Sequence, residues 1–219
     1  MSLPYGPLAG NTRISARINQ LLPLLAAEDQ RKFLKKFRNE ADEQAAHTFR
    51  ELILGVFLLK NGLLARYEVL LDGKKPDWIL YDSDGKLPAL VDQLSFHQAK
   101  QIDEQMNQAL RAGSSCCGWL PDNAPRLYQK LLAKAEAYEQ LTNEHAASNI
   151  VSIFGDFNAA VESDELAEAL HKSHGGGVFA KAPWLSGVIY FQENSGTYAF
   201  QYFANPDALR PLFIAGAQV

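Results

Sequence analysis

A predicted antiparallel meander in the middle of the chain sets the frame for its fold. Three short runs rich in apolar residues, Arg66–Asp72, Asp77–Asp82 and Leu87–Phe96, have the length and composition of β-strands. The pairs Asp72-Gly73 and Asp84-Gly85 separate them. Such pairs favour tight hairpin turns because both residues tolerate a positive φ. A sheet of this size is stable only when a face is covered, so the helices predicted on either side must pack on it.

The segments that flank the meander are mostly helical in composition. Ala27–Asn61 predicts two helices with a break near Asn39, and Gly62 stands where a C′ glycine ends a helix. The other predicted elements are helices at Ala99–Ala112 and Pro125–Leu141, a buried strand at Asn149–Phe154, a helix capped by Ser163 that reaches about Lys172, a loop at Ser173–Gly177 and an aromatic hairpin within Ser186–Phe203. This order predicts an α+β (mixed α/β) fold with a fourth core strand and a C-terminal β-hairpin.

Composition and charge indicate a short arm followed by one packed domain. Residues 1–26, rich in proline and glycine at their start, predict a peripheral arm and a short helix capped by Asn11 or Thr12. Residues 27–219 are predicted to form a single α/β domain, since 47% of the chain is hydrophobic and 21% is charged. The net charge of −4 gives no general attraction to phosphate, so nucleic-acid binding would need a local basic patch.

The sequence predicts neither a membrane span nor a secretory signal. The longest apolar run, Leu52–Leu59, is interrupted by Gly55 and is far shorter than the ~20 residues that cross a bilayer. The start of the chain has no basic segment followed by an apolar stretch, which favours a cytoplasmic location. Cys116 and Cys117 are adjacent, which is too close for an ordinary disulfide and indicates a reducing compartment.

Three acidic residues lie in or beside predicted buried elements. Glu51 borders the apolar stripe of the helix before the meander, Asp77 begins the second strand, and Asp92 interrupts the third. A buried acid is costly unless it is paired or bound to a metal. Mg²⁺ prefers oxygen ligands and takes one or two carboxylates together with water and phosphate. The three acids therefore predict a site for Mg²⁺ or Mn²⁺, and Gly55, one helical turn beyond Glu51, is interpreted as leaving space beside it.

These segments resemble the PD-(D/E)XK, or restriction-endonuclease-like, nuclease superfamily. The resemblance covers roughly residues 45–106, where the stretches His47–Gly62, Arg66–Asp72, Lys75–Leu80 and Ala89–Leu94 are similar to the first helix and meander of that superfamily. It implies a restriction-endonuclease-like core. It also implies that the helical acid, the aspartate after proline and the (D/E) residue hold one or two metal ions and that the protein cleaves DNA or RNA; these residues are Glu51, Asp77 and Asp92.

The lysine of the superfamily is missing from its expected place. Two residues beyond the (D/E) position stands Leu94, and strand alternation puts Gln93 on the opposite face of the sheet. A lysine side chain is long enough to reach one site from several backbone positions. Lys100, at the start of the next predicted helix, is therefore a candidate catalytic residue, and Lys74 and Lys75 in the hairpin turn are alternatives.

Two functional hypotheses remain open on the sequence. In the first, the acids bind Mg²⁺ and the protein hydrolyses phosphodiester bonds of nucleic acid. In the second, favoured by Leu94, the protein is a catalytically degenerate member that serves as a non-enzymatic binding or assembly module. Glu51 would then pair with His47 four residues earlier, and Asp92 would bond a neighbouring backbone group or Arg66.

Two other clusters have alternative interpretations. The basic run Arg31–Arg38 either binds phosphate or is a solvated helix face that packs through its aromatic residues. His171 and His174 either share a metal ion or lie at the end of a helix without one.

Overall fold

The computed structural model describes residues 5–94, 96, 122–155 and 161–215. Within them the chain forms six α-helices and one six-stranded mixed sheet. The helices are α1 (Thr12–Leu21), α2 (Ala27–Asn39), α3 (Asp42–Lys60), α4 (Ala124–Glu144), α5 (Ser163–His171) and α6 (Ser173–Lys181). The strands are β1 (Leu64–Tyr67), β2 (Trp78–Tyr81), β3 (Ala89–Leu94), β4 (Ser148–Gly155), β5 (Leu185–Asn194) and β6 (Thr197–Ala204).

The strands follow one another across the sheet in chain order. β1, β2 and β3 pair antiparallel, β4 lies parallel to both β3 and β5, and β6 pairs antiparallel with β5. The predicted meander, fourth core strand and C-terminal hairpin are thereby confirmed, as is the α+β class. The first strand was predicted too long: it ends at Tyr67, because Glu68 has a φ of +45° and leaves the extended conformation.

Two hydrophobic cores lie on opposite faces of this sheet. The first contains residues of α1, α2 and α3, and the second contains residues of α4, α5 and α6. Strand alternation explains the division, because neighbouring residues of one strand point to opposite faces. On β4, for example, Ile150 belongs to the first core and Val151 to the second.

The N-terminal segment is part of the first core, so the prediction of a peripheral arm was wrong. Tyr5, Leu8 and Ile18 are buried there. The ring of Tyr5 meets Phe37 of α2 edge-on, with 6.0 Å between the ring centres. A short 3-10 turn over Gly6–Gly10 brings these side chains inward. The predicted helix after it is confirmed as α1, and Asn11 caps it by accepting the backbone N–H of Ile14.

Most helix ends predicted from local sequence signals agree with the structure. The break between α2 and α3 and the C′ position of Gly62, with a φ of +77°, are confirmed. The cap of α5 is Glu162 rather than Ser163, in a capping box with Glu165. The predicted helix at 99–112 lies outside the described residues. No helix in the described part of the chain is long and apolar enough to cross a membrane.

The predicted loop at Ser173–Gly177 is instead the first part of α6. Its three glycines have φ values of +80°, +122° and +73°, which side chains would oppose. A Cβ on Gly177 would also lie 2.1 Å from the carbonyl oxygen of Leu170. The glycines are therefore required where α5 and α6 meet at close range.

Candidate functional site

Two of the three predicted acids lie opposite each other on neighbouring strands. Trp78 of β2 is paired with Val91 of β3, so the register carried one step further places Asp77 opposite Asp92. The Oδ2 atom of Asp77 accepts the backbone N–H of Gln93 at 2.6 Å. Pro76, the residue before Asp77, has no backbone N–H and cannot donate a hydrogen bond to a neighbouring strand. It is tolerated here because it stands at the start of the strand. The meander therefore brings Asp77 and Asp92 together, as the sequence predicted.

Glu51, the third acid, is buried on α3 and bonded to three side chains. Tyr67 donates its hydroxyl hydrogen to Oε2, and Nζ of Lys36 lies 3.3 Å from the same oxygen. Nε2 of His47 lies 3.1 Å from Oε1, so the i,i+4 pair considered on the sequence is present. Burial alone would raise the pKa of the Glu51 carboxyl, but the hydrogen bond to His47 and the charge of Lys36 outweigh it and hold the pKa below its usual range.

Asp92 contacts the helix on the other face of the sheet. Nζ of Lys134 on α4 lies 2.5 Å from Oδ2 of Asp92, and the hydroxyl of Tyr138 lies 3.4 Å from Oδ1. Only 5% of Asp92 is exposed, so this ion pair is shielded from water on the side of the acid. Burial, and then the negative charges of Asp92 and Asp77, raise the pKa of Tyr138.

Asp77 lies between Glu51 and Asp92, and the negative charge of each acts on its carboxyl group. Burial is the largest cause that raises the pKa of its carboxyl well above the usual value, and the negative charges of Glu51 and Asp92 raise it further. The backbone N–H of Gln93 and the charge of Lys134 act in the opposite direction without cancelling the rise. The site is therefore a chain of carboxylates that runs from α3 across the start of β2 to β3.

Lys134 is a candidate site residue that the sequence analysis missed. It stands on α4 in line with the buried residues Leu127, Leu131 and Leu141, and a lysine on the apolar stripe of a helix was the signal that could have found it. The acid it contacts precedes it by 42 residues, beyond the reach of any local motif. A lysine can cover apolar surface with its aliphatic stem and extend only its ammonium group, which here reaches Asp92.

Of the three lysines considered in the sequence analysis, two have other partners in the structure and the third lies outside the described residues. Lys74 donates to the backbone carbonyl of Ala137, and its Nζ lies 5.7 Å from the ring centre of Tyr138. Lys75 pairs with Glu68, with 2.7 Å between Nζ and Oε2. Lys100 lies outside the described residues, so its catalytic role stays a prediction.

Strand alternation also separates the residues that follow Asp92. Nε2 of Gln93 lies 3.3 Å from Nδ1 of His47 on α3, on the face opposite to α4. Leu94 is buried in the core beneath α4, α5 and α6. Gln93 therefore joins the α3 side of the site, and Leu94 adds only an apolar side chain.

The interpretation of Gly55 as space beside Glu51 was wrong. A Cβ on Gly55 would lie 2.0 Å from the Cζ2 atom of Trp78, so the indole ring already fills that space. Nε1 of Trp78 donates to the backbone carbonyl of Glu51 at 3.1 Å. Gly55 therefore lets the start of β2 pack directly on α3, next to the helical acid.

Arg66 also differs from its sequence-based interpretation. It does not reach Asp92; its Nε lies 3.0 Å from Asp29, and its Nη2 lies 2.7 Å from Glu28. The ring of His171 contacts Phe179 edge-on, with 5.2 Å between the ring centres. This contact supports the simpler interpretation of His171, that it lies at a helix end.

The donor chemistry fits a hard divalent cation on two of the three acids. Asp77 and Asp92 are adjacent, and Mg²⁺ commonly uses one or two carboxylates with water and phosphate. Both oxygens of Glu51 are already bonded within the protein, and those of Asp92 are bonded to Lys134 and Tyr138. In the described ranges, no three His, Cys, Asp or Glu side chains are arranged so that they could hold a metal ion together. An ion held by Asp77 and Asp92 would therefore have to open one of the bonds of Asp92, and water or substrate would complete its coordination.

Comparison with known proteins assigns no family to this chain. No protein-family model, curated protein or solved structure matches it. The fold and the contacts above define a mixed α+β protein with a buried chain of three carboxylates, flanked by Lys36 on one side and Lys134 on the other. Function is inferred from these side chains alone.

We expect Asp77→Asn to stabilise the metal-free protein at neutral pH by about 0.5–2 kcal/mol. The amide oxygen can still accept the backbone N–H of Gln93, while the repulsion from Glu51 and Asp92 is removed. Because the pKa of Asp77 is raised by folding, its contribution to stability is present below the unfolded value of about 3.9 and is lost as pH rises through the folded value. The free energy of unfolding of Asp77→Asn, measured by denaturant titration in EDTA, should therefore exceed that of the wild type increasingly above about pH 4. Equal stability of the two proteins at every pH above this value would contradict the electrostatic account.

Proposed function

We propose that the protein is a metal-dependent nuclease of the PD-(D/E)XK type, which hydrolyses phosphodiester bonds in DNA or RNA. The observation that carries this proposal is the contact of Lys134 with Asp92, 2.5 Å between Nζ and Oδ2. The resemblance required a lysine beside the (D/E) acid, and Leu94 cannot provide it. In this proposal Lys134 on α4 takes the part of that lysine, so the acids and the lysine of the motif come from different elements.

Each residue of the site has a distinct part in the proposed reaction. A bound Mg²⁺ would supply Lewis-acid polarisation of the phosphate and lower the pKa of a bound water. Asp77 and Asp92 would hold this ion as ligands, and the positive charge of the ion would offset the repulsion that Glu51 and Asp92 exert on Asp77. Lys134 places an ammonium group beside Asp92, where it orients the attacking water and offsets negative charge that develops on the phosphate.

Glu51 is proposed to position the site. Its oxygens are bonded to Lys36, Tyr67 and His47, and its charge acts on Asp77 from behind the sheet. Its role as a third metal ligand, which the resemblance implied, would require one of these bonds to open. Lys100 remains a second candidate lysine.

We expect Lys134→Met to reduce metal-dependent cleavage by about 100-fold or more, because the positioned positive charge beside Asp92 is removed. Purified protein would be incubated with single- and double-stranded DNA and RNA in Mg²⁺, Mn²⁺ or EDTA. Asp77→Ala should lose activity as well. Lys172→Met, which removes an exposed lysine at the end of α5, is the matched control and should cleave like the wild type. Cleavage that persists unchanged in both site variants would come from a contaminant and would remove the enzyme proposal.

The second candidate function is a non-enzymatic binding or assembly module. It is favoured by the internal bonding of the acids, since Glu51 and Asp92 already have protein partners. Mg²⁺ titration distinguishes the two candidates, because an ion that binds only the folded state raises the melting temperature as its concentration exceeds the dissociation constant. Under the nuclease proposal, millimolar Mg²⁺ stabilises the wild type and has no effect on Asp77→Ala; under the alternative, it stabilises neither protein.

A further inference from the structure

One cleft of the protein, formed by other side chains than the carboxylates described above, has the composition of a ligand site. It has a volume of about 490 Å³ and lies between α1, α3 and the β5–β6 hairpin, at the end of β4. Volumes of this size are typical of pockets for small organic ligands. Its described walls include Arg13 and Arg17 of α1, Arg50 of α3, and the rings of Phe49, Phe154 and Tyr198.

The described lining of this cleft is rich in basic side chains. Arg13, Arg17 and Arg50 line it together with one acid, Glu193, in a protein whose net charge is −4. Glu193 pairs with Arg13 at 2.9 Å. The Nε–H of Arg17 is enclosed and has no hydrogen-bond partner in the described part of the chain. A buried donor is expected to find an acceptor, and an anion at this position would provide one.

Aromatic rings form the rest of the cleft wall. Phe154 and Tyr198 lie with their ring centres 6.3 Å apart, and Phe49 meets Tyr198 edge-on at 6.4 Å. The guanidinium carbon of Arg50 lies 4.3 Å from the ring centre of Phe154. Rings and stacked guanidinium groups are the surfaces on which nucleobases stack, whatever their sequence.

The turn of the hairpin is shaped to admit an arginine. Gly196 has a φ of +90°, and a Cβ added to it would lie 2.4 Å from Nη2 of Arg13. Arg13 therefore crosses directly over the turn to reach Glu193 at the mouth of the cleft. Any other residue at position 196 would push this guanidinium away.

We propose that this cleft binds a nucleoside phosphate, either as a free nucleotide or as one unit of a single-stranded nucleic acid. The arginines would bind the phosphate through charge-assisted hydrogen bonds, and the base would stack on the aromatic rings. Strand alternation places Phe154 on the α1–α3 face of the sheet, opposite to the face on which Asp92 contacts Lys134, so the cleft is separate from that contact. Binding at the cleft is assigned from its own contacts and does not require hydrolysis.

The test measures binding in EDTA, so that cleavage at the carboxylates plays no part. The probes are fluorescently labelled AMP and a labelled single strand of about ten nucleotides, the length that such surfaces accommodate. Arg17→Gln and Arg13→Gln are the site variants; the side chain of Arg13 is 65% exposed, so the fold does not depend on it. Arg31→Gln removes the same charge from the exposed basic face of α2 and is the matched control.

We expect both site variants to weaken binding about tenfold, and the control to change it less than twofold. Unlabelled AMP should compete much better than ribose 5-phosphate in the wild type, and Phe154→Leu should abolish this difference by removing the ring. Binding of AMP assigns the cleft to a free nucleotide, whereas binding of the single strand alone assigns it to a unit of nucleic acid. Failure of both probes to bind, or equal binding by the wild type and both arginine variants, would overturn the proposal.

Discussion

Replacement of Glu51 by alanine is expected to destabilise the protein by about 3–5 kcal/mol, the usual cost of breaking a buried ion pair from one side. The change leaves Lys36 and the hydroxyl of Tyr67 without the carboxylate that they share, and Tyr67 is fully buried. It also opens a cavity beneath α3. Chemical denaturation at neutral pH measures this loss directly.

The matched control for this prediction is Glu43→Ala. Glu43 lies on the same helix but is exposed, so its replacement should change the stability by less than about 0.5 kcal/mol. A similar small loss in Glu51→Ala would mean that the contacts of the carboxylate contribute little to the fold.

The loss caused by removing the Glu51 charge should depend on pH in a defined direction. Folding lowers the pKa of Glu51, so its stabilisation is complete above the unfolded value of about 4.3 and disappears as pH falls through the folded value. The difference in stability between the wild type and Glu51→Gln should therefore shrink below about pH 4. Asp77→Asn shows the opposite trend, because folding raises the pKa of Asp77. Two acids that touch one network are thus expected to respond to pH with opposite signs.

Gly55→Ala is expected to destabilise the protein by about 3 kcal/mol, although alanine is the better helix former by about 1 kcal/mol. The added methyl group would meet the ring of Trp78 at 2.0 Å. Trp78 is completely buried and packs against the tilted rings of Phe33 and Tyr67, so its ring has no room to move aside. Thermal and denaturant unfolding should both detect the loss.

Gly10→Ala is the comparison for this prediction, because a Cβ at that position meets nothing within 4 Å. Its effect on stability should be close to zero. If Gly55→Ala were as stable as the wild type, the close packing of α3 on the start of β2 would be incorrect, and with it the position of Asp77 relative to Glu51.

Several parts of the fold were determined by signals that act over a few residues. The Asp-Gly pairs fixed both turns of the meander, and Gly73 and Gly85 have the positive φ that such turns require. Asn11 capped α1, and Gly62 ended α3. The apolar run within Asn149–Phe154 became the central strand β4. Turn and cap preferences depend on backbone geometry alone, so they can be read without knowledge of distant residues.

The tertiary structure alone decided which distant groups meet. The contact of Lys134 with Asp92, the Trp78 ring over Gly55, the burial of Tyr5 and the arginine-lined cleft all join segments far apart in the chain. Periodicity assigns a side chain to a face of its helix or strand, but the partner across that face depends on how the layers pack. The sequence by itself therefore located the acids and the sheet that carries them, whereas the lysine beside them was set by the docking of α4 on β3.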